Sequence, residues 1–197
     1  MIQLKATNLS GTDRRETKIG TFLADTIPEK SDMSAQTLLR SLFKYKAWAN
    51  EELFAEFAKV DPEVQPSERN AVIRLLNHVY VVDRIFAAHL SGERHNYIAT
   101  NTPETPALED LRSAVAASDS WYVEYVGKMS PQSLQEEVKF TFVDGALGCM
   151  SREEILAHVA THGDYHRGAA GRIMSQASVE PFTVYLHKTE PRRRGQT

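Results

Sequence analysis

The chain has 197 residues and is 42% hydrophobic, enough for one domain with a sizeable core and short for two. Its formal net charge of -3, with both signs interspersed, gives no general attraction to nucleic acid or to an anionic membrane surface. No window offers the roughly 18 apolar residues of a membrane span; the lone Cys149 precludes an intramolecular disulfide, and no secretory leader opens the chain, so a soluble cytoplasmic protein is expected.

Residues 1–32 mix charges with Thr, Gly and Pro and keep no period, so they read as an N-terminal extension, with Met33 a candidate start. From Ser34 to Val60, apolar residues recur at Leu38, Leu42, Tyr45, Ala49, Leu53 and Phe57, one face of a first helix closed by Asp61-Pro62. A second helix runs from an N-cap at Ser67 through Val72, Leu75, Val79, Val82 and Phe86 to a stop at Ser91-Gly92. The polar stretch "ERHNYIATNTPETP" predicts a crossing loop. Thr105 and Pro106 then open a third helix, with Glu109 and Asp110 near its positive end, running to about Met129.

In "EEVKFTFVDGALGCM" the period changes: Val138, Phe140 and Phe142 alternate with polar residues, and Asp144-Gly145 is a tight-turn pair, which predicts a short β-hairpin. Ser151 and Glu154 form a capping box opening the last long helix. The expected fold is therefore all-α, a four-helix bundle over residues 33–187 with a small β-hairpin before its last helix and a basic tail, "KTEPRRRGQT", at 188–197.

That last helix carries His158, His162 and His166 at intervals of four, with His162 about 40° around the axis from each neighbour. Neutral imidazoles bind zinc, nickel, copper or iron, and two of them one turn apart converge on one ion. His158 and His166 lie about 12 Å apart along the axis, too far to share an ion, so one adjacent pair ligates; spacing does not say which. A third ligand must come from another helix, and His78 on the Leu75 and Val82 face of the second helix is the natural candidate, against a hydrogen-bonded core cluster without metal. His89 is about 16 Å further along and reads as a surface or helix-end residue; His95 and His187 read as solvated.

Three stretches, "YKAWANEELF", "LLNHVYVVDRIFAAHL" and "LAHVATHGDYHRG", resemble in order the signature segments of the DinB family of metalloenzymes, named for DNA-damage-inducible proteins. The resemblance covers about Met33 to Leu186 and implies a four-helix bundle holding a divalent transition metal, zinc or nickel, on His78, His162 and His166. It leaves His158 to support the core. The family pattern usually continues "HRGQ" where this chain has "HRGA", placing Ala169 in the glutamine position and removing a polar contact there.

Three neutral imidazoles leave positions open for water or substrate, which suits catalysis. The leading expectation is a metal-dependent hydrolase or thiol-dependent S-transferase, with bound water or the thiolate of a low-molecular-weight thiol as nucleophile on a small-molecule substrate. Tyr165, one turn from His162, is the candidate catalytic side chain as proton donor or substrate orienter, weighed against an anchor in the bundle. Asp164 is expected at the surface and Asp83 in a salt bridge to Arg84 or a neighbouring helix, while Trp48 and Asn50 line or support the pocket. Gly163, Gly168 and Gly171 are expected to mark close helix contacts, so that bulk at Gly168 would disturb the site. The alternative is a non-catalytic metal-binding stress-response homodimer. DNA binding is disfavoured by the charge balance and the lack of a recognition motif.

Overall fold

The computed structural model describes residues 34–179; the expectations for residues 1–32, Met33, His187 and the basic tail lie outside the described residues. Helix α1 spans Ala35–Phe57, and Ser34 caps it by accepting a hydrogen bond from the Thr37 amide at 3.2 Å. Helix α2 spans Pro66–Ser91 and ends on Gly92, whose φ of 71° supplies the left-handed stop expected there. Its start is two residues earlier than an N-cap at Ser67 would give. Pro66 takes the first helical position, where its missing N–H costs nothing and its φ is already helical.

Helix α3 spans Leu108–Lys128, with Ala107 and not Thr105 at the cap. Thr105 is otherwise engaged, donating its hydroxyl to Asn70 Oδ1 at 3.1 Å and so tying the loop to α2. A one-turn helix α4, Pro131–Leu134, capped by Ser130, was not anticipated, being too short to carry a period. The hairpin follows as expected: β1 (Glu137–Thr141) pairs antiparallel with β2 (Leu147–Ser151), Val138 opposite Met150 and Phe140 opposite Gly148. Gly145 turns the chain with a φ of 89°. Helix α5 spans Arg152–Gln176, and both halves of the Ser151 and Glu154 capping box form.

Helix α1 packs on α3 and α5, and α2 packs on α5 and α3, so the order around the bundle is α1, α3, α2, α5. Two apolar cores fill it. One gathers Leu39, Phe43, Phe86, Tyr122, Ile155 and Leu156 near the hairpin, the other Leu53, Phe57, Val72, Leu76, Val115 and Met174. Each fully buried Leu, Ile or Phe stabilises by about 1.5–3 kcal/mol. A band of buried polar side chains, Lys46, Asn50, Asp83 and Asp119, accompanies them. Residues 93–107 do more than cross between helices: Arg74 Nη1 donates to the Thr102 and Glu104 carbonyls at 2.6 and 3.0 Å, and Asn101 Nδ2 donates to the Arg74 carbonyl at 2.9 Å. The segment lies along α2. No described helix is long and apolar enough to cross a membrane.

Candidate metal centre

One turn of α5 brings His162 and His166 together, with their Nε2 atoms 3.1 Å apart. The neighbouring helix α2 supplies His78, whose Nε2 lies 3.2 Å from that of His162. One ligand atom from each of the three lies within 4.8 Å of the others, so the three could hold a metal ion. Two imidazole nitrogens each about 2.0–2.1 Å from a common ion would be about 2.9 Å apart on an octahedral edge and about 3.3 Å on a tetrahedral one. The His162–His166 and His162–His78 separations fall between these limits, as a donor set for a transition metal requires. Sequence spacing left the ligating pair open, and the structure brings His162 and His166, not His158, to His78.

The protons are placed to suit ligation. His78 Nδ1 donates to the Thr100 carbonyl at 2.7 Å, which fixes the proton on that nitrogen and leaves the Nε2 lone pair facing His162. Burial, and then the neighbouring His166, His78, His158 and Lys46, lower the His162 pKa to about 4. Burial and His78 lower that of His166. Both rings of α5 are therefore neutral at pH 7, as a metal ligand must be. Their Nδ1 atoms are buried without a hydrogen-bond partner among the described residues, so no group fixes their tautomers as Thr100 fixes that of His78.

Beside this centre lies the charged band. Lys46 of α1 donates to Asp83 of α2 at 2.7 Å and to Asp119 of α3 at 2.6 Å, with its side chain 1% exposed. Asn50 donates to the other oxygen of Asp119 at 2.7 Å and accepts from Arg167 Nη1 of α5 at 2.8 Å. Burial works to lower the Lys46 pKa, yet the two carboxylates raise it above its ordinary value. Burial pushes Asp83 up to about 6 against the pull of Lys46.

The remaining candidates divide. Asp83 bridges to a neighbouring helix and Asp164 sits at the surface, paired with Arg167, both as expected. Asn50 supports α5 through Arg167, while Trp48 lines a cleft of about 370 Å³ with Phe54, Val115 and Asp119, to which none of the three histidines contributes. Tyr165 does not anchor the bundle. It is 76% exposed, its ring edge-on to His166 with centroids 5.1 Å apart, because the apolar side of α5 at this level is taken by Gly163 and Ala170.

His158 is exposed and not a core residue. It stacks on His162 at 5.5 Å and meets Phe86 at 5.1 Å, flanking the centre. His89, in the last turn of α2, stacks on Phe140 at 4.9 Å. His95, expected to be solvated, is half-buried against His89 at 5.1 Å, because its loop folds back over the helix end. The close contact expected at Gly168 is absent: a Cβ there would meet nothing within 4 Å. At Gly163 the expected contact is present: a Cβ there would lie 3.2 Å from Arg167 Nη1 and 3.3 Å from Lys46 Cε. Three contributors escaped the sequence reading. The Thr100 carbonyl carries no side-chain signature; Lys46 and Arg167 were assigned no role, and a signal for Lys46 lies in its place on the helix-one stripe between Phe43 and Asn50.

Comparison with known proteins places these features in a family. Residues 33–194 match the model of the DinB family. Protein DinB of Bacillus subtilis (strain 168) is similar, 22% identical over 163 residues that cover 76% of this chain and 94% of that protein. No solved structure gives a significant match.

Proposed function

The chain belongs to the DinB family, and from that premise we propose that it is a divalent-metal-dependent enzyme of hydrolase or thiol-transferase type, acting on a small molecule. The observation that carries this reading is the convergence of His78, His162 and His166 from two helices onto one point, with separations an ion would fit. Zinc or nickel suits three neutral imidazoles better than calcium or magnesium, which prefer oxygen donors. Such an ion would supply Lewis acidity, lowering the pKa of a water or a small thiol enough to make a nucleophile near neutral pH.

The chain's own residues do the rest. Thr100 holds the proton of His78 away from the ligand face, and burial keeps His162 and His166 deprotonated. Tyr165, exposed beside His166, stands where a phenol can donate a proton to, or orient, a molecule approaching from solvent. His158 and Phe86 wall the centre on the hairpin side.

The test is metal content by elemental mass spectrometry on tag-free protein. About one transition ion per chain is expected, lost in His78→Ala and in His162→Ala. Tyr165→Phe is expected to retain the ion while lowering turnover in a screen of esters and thiol-reactive electrophiles. Protein that stays metal-free in excess zinc and nickel would overturn the reading; a loaded protein inactive throughout the screen would favour a non-catalytic metal-binding role.

A further inference from the structure

Both helices that supply the histidines are fastened to one buried polar network, α5 at the residues that follow His162 and His166 and α2 at Asp83, five residues after His78. Arg167 follows His166 and donates to Asn50 of α1 at 2.8 Å. Gly163 follows His162, and a Cβ there would crowd the Lys46 stem and the Arg167 guanidinium, which would lie 3.3 and 3.2 Å from that carbon. Lys46 then reaches across the bundle to Asp83, on the helix that carries His78, at 2.7 Å, and to Asp119 on α3 at 2.6 Å. Asp119 closes the circuit by accepting from Asn50 at 2.7 Å. Every long helix contributes at least one member.

Such a network is an unusual choice for stability alone, since desolvating a lysine and two aspartates costs several kcal/mol per ion, and apolar residues of the same volume often serve as well or better. What it supplies in return is direction. A methylene can slide along an apolar wall, whereas an ammonium held by two carboxylates on different helices cannot shift without breaking a charged hydrogen bond.

We infer that Lys46 and Arg167 are positioning residues for the metal centre, setting the separation between His78 on α2 and the His162 and His166 pair on α5. The inference rests on the metal reading above and adds to it that ligand geometry is imposed through the contacts of α5 and α2 with the polar residues of α1. Outer partners that orient metal ligands typically carry about 10- to 100-fold in affinity.

The experiment uses the full chain, with zinc dissociation constants from competition with a chromophoric chelator, visible spectra of the cobalt-substituted protein, and melting of the metal-free form. Arg167→Gln and Lys46→Met are expected to bind zinc at least about tenfold more weakly than wild type, with an altered cobalt spectrum. In Arg167→Gln, where no charged group is stranded deep in the core, the metal-free melting curve is expected to move little, separating positioning from bulk stability. Should Lys46→Met not fold, Arg167→Gln decides. A folded Arg167→Gln with wild-type zinc affinity and cobalt spectrum would overturn the inference while leaving the metal centre standing. Wild-type protein that binds neither zinc nor cobalt would overturn the metal reading and this inference with it.

Discussion

Gly163 and Gly168 lie on the same helix and within the same motif, yet a side chain would mean opposite things at the two positions. At Gly163 it would press on Lys46 and Arg167; at Gly168 it would enter open space. Gly168 therefore bears the helix penalty of glycine with no packing return, and Gly168→Ala is expected to stabilise the metal-free protein by about 0.5–1 kcal/mol. Zinc affinity should stay at the wild-type value. Urea denaturation checks the first part, and a fall in stability would mean that Gly168 meets something outside residues 34–179. At this scale the sequence pointed to the histidine cluster, because imidazoles at intervals of four declare themselves, but spacing alone left open which adjacent pair of α5 meets His78. It was mute about Thr100, whose contribution is a backbone carbonyl that any residue would offer, and it left Tyr165 open between a role at the site and an anchor in the bundle, of which its exposure removes the anchor.

Helix α1 shows how a pattern can be right in kind and displaced in place. Its buried stripe is Leu39, Phe43, Lys46, Asn50, Leu53 and Phe57, a regular alternation of four and three. Reading only apolar residues skips Lys46 and Asn50, moves the first half of the stripe one residue back, and assigns to the core Leu38, which is 41% exposed. The polar pair hid the face because its partners, Asp83, Asp119 and Arg167, sit on three other helices, and pairing across such distances leaves no mark on local periodicity. The hairpin was legible because its alternation and its Asp144-Gly145 turn are local. Its docking was not. Phe140 lies across Gly148 of the opposite strand while its ring meets Phe86 at 5.7 Å and stacks on His89 at 4.9 Å. A Cβ on residue 148 would fall 2.5 Å from the Phe140 ring, so Gly148→Ala must displace a ring packed on α2 and is expected to cost about 1–3 kcal/mol. A thermal melt at wild-type temperature for that variant would show that Phe140 is free to slide and that the hairpin is not clamped to the bundle.

Across the whole molecule, the buried titratable groups pull the pH dependence of stability in two directions. His162 has a pKa of about 4 in the folded state against an ordinary 6.5. Between these values the unfolded chain binds more protons than the folded one, so stability falls as pH falls through that window. Burial lowers His89, His158 and His166 too, so their contributions carry the same sign. Asp83 works the other way, since its folded pKa of about 6 lies above its ordinary 3.8; between those values the folded state holds the extra proton, and stability rises as pH falls. Both effects set in gradually over this range, and one carboxylate stands against four histidines whose shifts share a sign. The metal-free protein is accordingly expected to show a lower urea midpoint at pH 5 than at pH 7.5. Asp83→Asn removes the opposing group and should steepen that decline whatever it does to stability at pH 7.5, whereas His162→Gln should flatten it. A midpoint that rises on acidification in Asp83→Asn, where the opposing carboxylate is gone, would place protons on the histidine cluster in the folded state, and neutral imidazoles ready for a metal at pH 7 would then have to be given up.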